Sequence, residues 1–249
     1  MISLKSEKDL ESMRIACKIT GETLKYIEGL IRPGISTKEL DSLAYDFIKS
    51  KGATPSFKNY GGFPGTLCTS VNDVVVHGIP SESVVLKEGD IISIDVGAKY
   101  NGFHGDAART FPVGKINNKV ARLIKITEKS FFEGIKGIKA GAFIGDISNK
   151  IQTFVEKNGY SIVRELVGHG IGKNLHEDPM VPNFGRAGSG SRLNAGATIA
   201  IEPMVNMGER NVIFASDGWT CSTRDGLPSA HYENTVLITQ DGVEILTLY

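Results

Sequence analysis

The chain has 249 residues, with 28 basic and 28 acidic side chains and a formal net charge of zero, so nothing in its overall charge points to nucleic acid or a membrane surface. Hydrophobic content of 41% and charged content of 22% are those of an ordinary globular chain with ample core. Cys17, Cys68 and Cys221 form neither a zinc-finger spacing nor a disulfide frame, and neither a signal core nor a membrane-length apolar run is present, so a soluble cytoplasmic protein is expected.

A first helix is predicted from Ser6 to Ile31, with Ser6 as cap and Leu10, Met13, Cys17, Leu24 and Ile27 as its apolar stripe. Pro33-Gly34 ends it. A second helix follows from Ser36, with Glu39 completing a capping box and Gly52 as its stop. A Gly/Pro-rich loop over residues 59–65 then leads to a strand-like run ending at Val76-His77. Helices are predicted again from Asn117 to Lys139 and from Asp146 to Asn158.

Between them lies a run of apolar residues broken by two acids, residues 91–106. Asn101-Gly102 is a strong hairpin signal, because both turn positions need positive φ. With these two as the loop, Asp95 faces Ala108 and Asp106 faces Gly97. The two aspartates then share one face as diagonal neighbours, roughly 7–8 Å apart. On this stretch alone they are equally a cation site, or acids turned to water or paired with Arg109.

The chain also repeats internally. Displaced by 107 positions, Gly34 meets Gly141, Phe47 meets Phe154, Gly52 meets Gly159, Gly89 meets Gly196, and Asp95 meets Glu202. Beyond that the displacement grows to 127, and His104-Gly105-Asp106 meets His231-Tyr232-Glu233. Two pseudo-equivalent halves, about 1–112 and 113–249, are expected to form a single domain. Four acids would then face one point, and four buried carboxylates without cations are prohibitively costly. Two divalent ions would neutralise them.

Five histidines remain to place. His169 sits in Gly168-His169-Gly170-Ile171-Gly172, a loop whose glycines permit close approach to a ligand. His176 follows seven residues later, and His77-Gly78-Ile79-Pro80 loosely echoes His176-Glu177-Asp178-Pro179. His104 and His231, each two residues before an acid, are expected to support rather than ligate. The resulting site is rich in oxygen donors with one imidazole, which suits Mn, Fe, Co or Zn. Two such ions would activate a water and polarise a carbonyl or phosphoryl group, which leaves peptide, phosphate ester and other amides open.

Seven blocks in order carry a resemblance to a known family. They are residues 76–80 (VHGIP), 93–97 (SIDVG), 103–106 (FHGD), 168–172 (GHGIG), 176–179 (HEDP), 201–204 (IEPM) and 233–235 (ENT). With them, the chain resembles the short bacterial form of type I methionine aminopeptidase over nearly its whole length. The resemblance implies the duplicated pita-bread fold, an α/β arrangement of antiparallel sheets backed by helices with pseudo-twofold symmetry. It implies Asp95, Asp106, His169, Glu202 and Glu233 as ligands of two divalent ions, with Asp106 and Glu233 bridging. It further implies Glu202 as proton shuttle, His176 as oxyanion donor, and His77 at the scissile amide. The methionine pocket would be Tyr60, Phe63, Cys68, Leu175 and Trp219; Phe57 and Phe63 stand where relatives often carry cysteine and tyrosine. The substrate would be peptides and nascent chains beginning with Met and a small second residue, met near the ribosome exit, and the enzyme a monomer. The step of 25 positions from His176 to Ile201 leaves no room for the helical insertion of type II enzymes. Two alternatives are a proline-specific peptidase of the same fold and a non-catalytic binding module.

Overall fold

In a computed structural model, residues 2–249 are described. Four helices form where the apolar stripes fall: α1 Glu7–Glu28, α2 Thr37–Ser50, α3 Asn118–Ile135 and α4 Ile144–Lys157. Ser6 caps α1, in a reciprocal box with Asp9. Ser36 caps α2 by accepting from Glu39 N–H, and the predicted box is only half formed, the Glu39 side chain making no return bond to Ser36 N–H. The predicted ends run long by a turn or less: α1 stops at Glu28 rather than Ile31, and α3 at Ile135 rather than Lys139, because Gly137 takes positive φ.

The first strands are β1 Thr54–Pro55, β2 Leu67–Val71, β3 Val74–Val76, β4 Ile91–Tyr100 and β5 Phe103–Pro112. After α4 come β6 Ser161–Ile162, β7 Gly168–Gly170, β8 Glu177–Val181, β9 Thr198–Ile201 and β10 Met204–Asn206. The last are β11 Val212–Phe214, β12 Cys221–Thr223, β13 Ser229–His231, β14 Glu233–Ile238 and β15 Val243–Ile245. The single run predicted before His77 is thus two strands, turned at Asn72 with φ of 54°.

One nine-stranded sheet runs β1-β4-β5-β14-β9-β7-β8, with β2 also on β4 and β15 also on β14. The β4–β5 hairpin has the predicted register: Asp95 faces Ala108 and Gly97 faces Asp106. Asn101 and Gly102 take φ of 49° and 83° at its turn. α1 lies across this hairpin at Gly105, where a Cβ would come within 2.6 Å of Cys17 Cα. Thr20 joins the two by accepting from Ala98 N–H and donating to Gly105 O.

The 107-residue repeat is a repeat of structure. α2 displaced by 107 gives the bounds of α4, and the isolated Ser36–Val85 bridge returns as Phe143–Arg192. The paired glycines share their left-handed φ: 89° and 97° at Gly34 and Gly141, 73° and 83° at Gly52 and Gly159, 94° and 90° at Gly89 and Gly196. Two apolar clusters follow the same division. One holds Leu24, Leu40, Ile48, Leu67 and Ile94. The other holds Phe131, Ile147, Ile151, Ile199 and Val236, and takes only Ile91 among its buried members from before residue 113. The β5–β14 pairing, Glu233 to Ala108 and Asn234 to Ala107, joins the two across the middle of the sheet.

The second hairpin departs from the first by two residues. Ile201 faces Asn234 and Met204 faces His231, which brings Glu202 level with Glu233. Asp95, by contrast, is two positions from Asp106 on its ladder. The break falls at Pro203, between β9 and β10, where the backbone has no N–H for the ladder.

Candidate metal centre

Asp95 on β4, Asp106 on β5, Glu202 just after β9 and Glu233 at the head of β14 converge on one cavity together with His169 of β7. The cavity holds about 230 Å³. His169 Nε2 lies 3.9 Å from Asp106 Oδ2 and 3.7 Å from Glu202 Oε1. Asp106, His169 and Glu233 offer donor atoms within 4.8 Å of one another, and so do Glu202, His231 and Glu233. Asp95 stands beside Asp106, close enough for the two carboxyls to share a proton.

These groups are arranged for a cation. His169 Nδ1 donates to Gly170 O at 2.9 Å, so Nε2 turns a lone pair towards two carboxylates. The buried atoms Asp95 Oδ1, Asp106 Oδ1 and Glu233 Oε1 have no hydrogen-bond partner. Burial, and then the neighbouring acids, hold Asp106 and Glu233 well above the usual carboxylate range, and Glu202 likewise. Burial takes Asp95 up to about 7. His169 is pushed down to about 3 by burial and by His176. Each group is therefore held away from its ionic form and offers electron pairs to a common centre. A divalent cation reverses all of these penalties at once, and the residues fit one.

The two supporting histidines part company. His104 faces Lys99, four residues beyond Asp95, and its Nδ1 bonds Ser56 Oγ at 2.9 Å. His231 faces Met204, two residues beyond Glu202, with Nε2 3.7 Å from Glu202 and 3.9 Å from Glu233. The two-residue slip accounts for the difference. Both ring nitrogens of buried His231 lack a hydrogen-bond partner, so its position is that of a further donor, closer in than the support expected of it.

The glycine-rich loop works differently from expectation. A Cβ at Gly168 would lie 2.4 Å from Ala200 O, and one at Gly170 would lie 2.0 Å from Asp178 O. These glycines let strands approach one another, and the ligand-facing group is the His169 side chain between them. Arg109 does not pair with the acids of its hairpin. Side chains alternate along β5, and Arg109 leaves by the other face. There it donates to Ala108 O, Glu233 O and Asn234 Oδ1.

His77 and His176 flank the same cavity. His77 takes φ of 59°, a strained conformation for a side-chain-bearing residue. His176 Nδ1 meets Tyr60 Oη at 2.8 Å, and its ring stands 4.2 Å from that of His169. Burial lowers the pKa of both His77 and His176. Tyr60, Phe63, Cys68, Leu175 and Trp219 all line the cavity, with Phe63 and Trp219 edge to face at 5.2 Å. Phe57, Val76, Leu166, Val167 and Met204 join them. Their sequence signal is that of ordinary core, apart from adjacency to His77, Gly168 and Glu202.

A methionine aminopeptidase of Clostridium perfringens is 58% identical over 248 residues, covering 100% of this chain and 99% of its own. The crystal structure of a methionine aminopeptidase from Thermotoga maritima superposes with a TM-score of 0.98 at 44% identity, covering 100% of both chains. A prolidase from Pyrococcus furiosus shares the fold, with a TM-score of 0.81 at 24% identity over 99% of this chain and 65% of its own. Among the described residues no helix is long and apolar enough to cross a membrane. The model of metallopeptidase family M24 matches residues 11–240, and the chain, a metal-dependent hydrolase, belongs to that family.

Proposed function

We propose that this chain removes N-terminal methionine from peptides and nascent proteins whose second residue is small, in the cytoplasm and as a monomer. One observation carries the reading: a single cavity joins the acid–histidine cluster to an apolar slot walled by Phe57, Tyr60, Phe63, Cys68 and Trp219. An unbranched thioether suits a slot lined by aromatic rings and a thiol. The full-length likeness to methionine aminopeptidases points the same way. We take residues 1–112 and 113–249 as halves of one catalytic domain, because the four acids come two from each.

Asp95, Asp106, His169, Glu202 and Glu233 would hold two divalent ions drawn from Mn, Fe, Co or Zn. When bound, such ions supply an activated water and polarise the first peptide carbonyl. The remaining steps belong to side chains. With Tyr60 Oη as the donor in its hydrogen bond to His176 Nδ1, the imidazole proton would sit on Nε2, free to donate to the oxyanion. The depressed pKa of His176 keeps it a neutral donor. Glu202, whose carboxylate lies 3.7 Å from both His169 Nε2 and His231 Nε2 in the cavity, is placed to accept a proton and pass it to the leaving nitrogen. His77 would hold the scissile amide in place as the new amino terminus departs.

Incubation of the metal-loaded protein with Met-Ala-Ser and Met-Leu-Ser tests the proposal. Methionine should appear from the first and hardly from the second. Release from neither, with cleavage of an Xaa-Pro peptide instead, would assign the site to a proline-specific peptidase. Roles separate in two variants: Asp106→Ala should lose both bound metal and activity, whereas His77→Ala should keep the metal, measured by elemental analysis, and slow turnover. Equal metal loss in both would contradict the assignment.

A further inference from the structure

A second, open groove of about 580 Å³ adjoins the catalytic cavity. Tyr60, Leu175 and His176 line both, so the Tyr60–His176 pair is the sill between them. Lys58, Lys99 and Lys173 line the groove, and no acidic residue does. Among the described residues none of the three lysines forms an ion pair. The Lys58 ammonium lies over the Tyr45 ring and that of Lys173 over the Phe103 ring, cation–π contacts that hold both side chains without a carboxylate partner. On its other side Lys173 borders Asp9, Glu177 and Asp178, and its charge helps lower the pKa of Asp9. Asp9 is bonded by Ser6, and Glu177 is taken by Lys5 Nζ at 2.7 Å and by Asn174 N–H at 3.0 Å. His104, its Nδ1 hydrogen-bonded to Ser56 Oγ, adds an imidazole to the wall. In a chain of zero net charge, this is a concentrated local excess of three positive charges beside the reaction site.

We propose that this groove binds acidic side chains of the substrate, from about the third residue onward, and so favours Met-initiated chains with an acidic segment after the small second residue. The proposal rests on the aminopeptidase reading, since it takes the substrate's first residue to lie in the metal cavity. A chain leaving that cavity over Tyr60 and His176 enters a channel whose charge complements Asp and Glu. Exposed ion pairs of this kind are individually weak and screened by salt. Two of them working together amount to a two- to tenfold effect by order of magnitude, or roughly 0.4–1.4 kcal/mol.

The test compares Met-Ala-Ser-Ser-Ser with Met-Ala-Glu-Asp-Glu. In the native metal-loaded protein the acidic peptide should show a KM lower by about two- to tenfold with kcat little changed. The advantage should vanish in about 0.5 M salt, and in a Lys58→Gln, Lys99→Gln, Lys173→Gln triple variant that still cleaves the neutral peptide at the native rate. Equal KM for the two peptides, or a preference that survives the triple substitution, overturns the proposal. Binding of a fluorescent Met-Ala-Glu-Asp-Glu peptide, followed by anisotropy, gives a readout independent of cleavage. Lysine-dependent binding without methionine release would uphold the groove and sink the aminopeptidase reading. Salt-sensitive binding of a single-stranded oligoribonucleotide through these lysines, with no acidic-peptide preference, would overturn the proposal in favour of a phosphate backbone.

Discussion

His176 Nδ1 is hydrogen-bonded to one hydroxyl, that of Tyr60. Tyr60→Phe keeps the ring in the pocket and removes that hydrogen bond, so kcat should fall about fivefold at nearly constant KM, the effect of roughly 1 kcal/mol. Steady-state kinetics on Met-Ala-Ser check it. Asp95 carries a pH signature. Burial raises its pKa from 3.8 to about 7, so the metal-free fold takes up a proton there, and the associated stability is lost as pH rises from about 4 through 7. Asp95→Asn removes that loss. In chelator, the variant should melt increasingly above the native protein as pH rises from 4, levelling off past 7. A gap that widens towards acid would reverse the assignment. The acids of the centre were legible in the chain because charges on apolar strands are costly without a partner. The pocket was less so. Tyr60, Phe63 and Cys68 were reached through the family resemblance, while Leu166 and Val167 look like any buried residues until Gly168 and His169 bring them to the cavity.

Elements were legible where local chemistry decides. Ser36 and Glu39 placed the start of α2, and Asn101-Gly102 set the β4–β5 register to the residue. Ser36→Ala should cost about 1 kcal/mol, read as a lower urea midpoint. Its counterpart in α4, Phe143, makes no side-chain cap bond, and the first turn there is held by Asp146 accepting from Phe143 N–H. The slip at Pro203 was not legible, because periodicity fixes which face a residue takes and a shift of two preserves the face. The slip nonetheless decides which histidine reaches the acids.

At the scale of the molecule, the centre depends on the β5–β14 seam. Thr235 Oγ1 accepts from Asp106 N–H at 3.0 Å and donates to Asp106 O at 2.9 Å, clamping one acid's backbone from the opposite half. Arg109 ties Glu233 O and Asn234 Oδ1 to the same seam from the other face. Thr235→Val keeps shape and strips both bonds from buried Asp106. It should cost about 2 kcal/mol, seen in the denaturant midpoint, and weaken metal affinity by titration. The repeat in the chain foretold two related halves. It did not foretell which strands would meet, since β-pairing between distant segments leaves no mark in local sequence.

The unequal hairpins have a consequence for symmetry. A twofold dimer of identical chains must give both copies of any hairpin the same register. Two copies of residues 1–112 could at most bring together two Asp95 and two Asp106, each pair on the diagonal, and two copies of His104 bonded away to Ser56. They could supply no His169, since the β2 position on the equivalent ladder is Ser70: Val71 faces Ile92 as Gly170 faces Ile199. A symmetric assembly could reproduce the architecture and would still lack this centre. Joining the halves in one polypeptide is what allows them to differ, and the difference between them is where the chemistry resides.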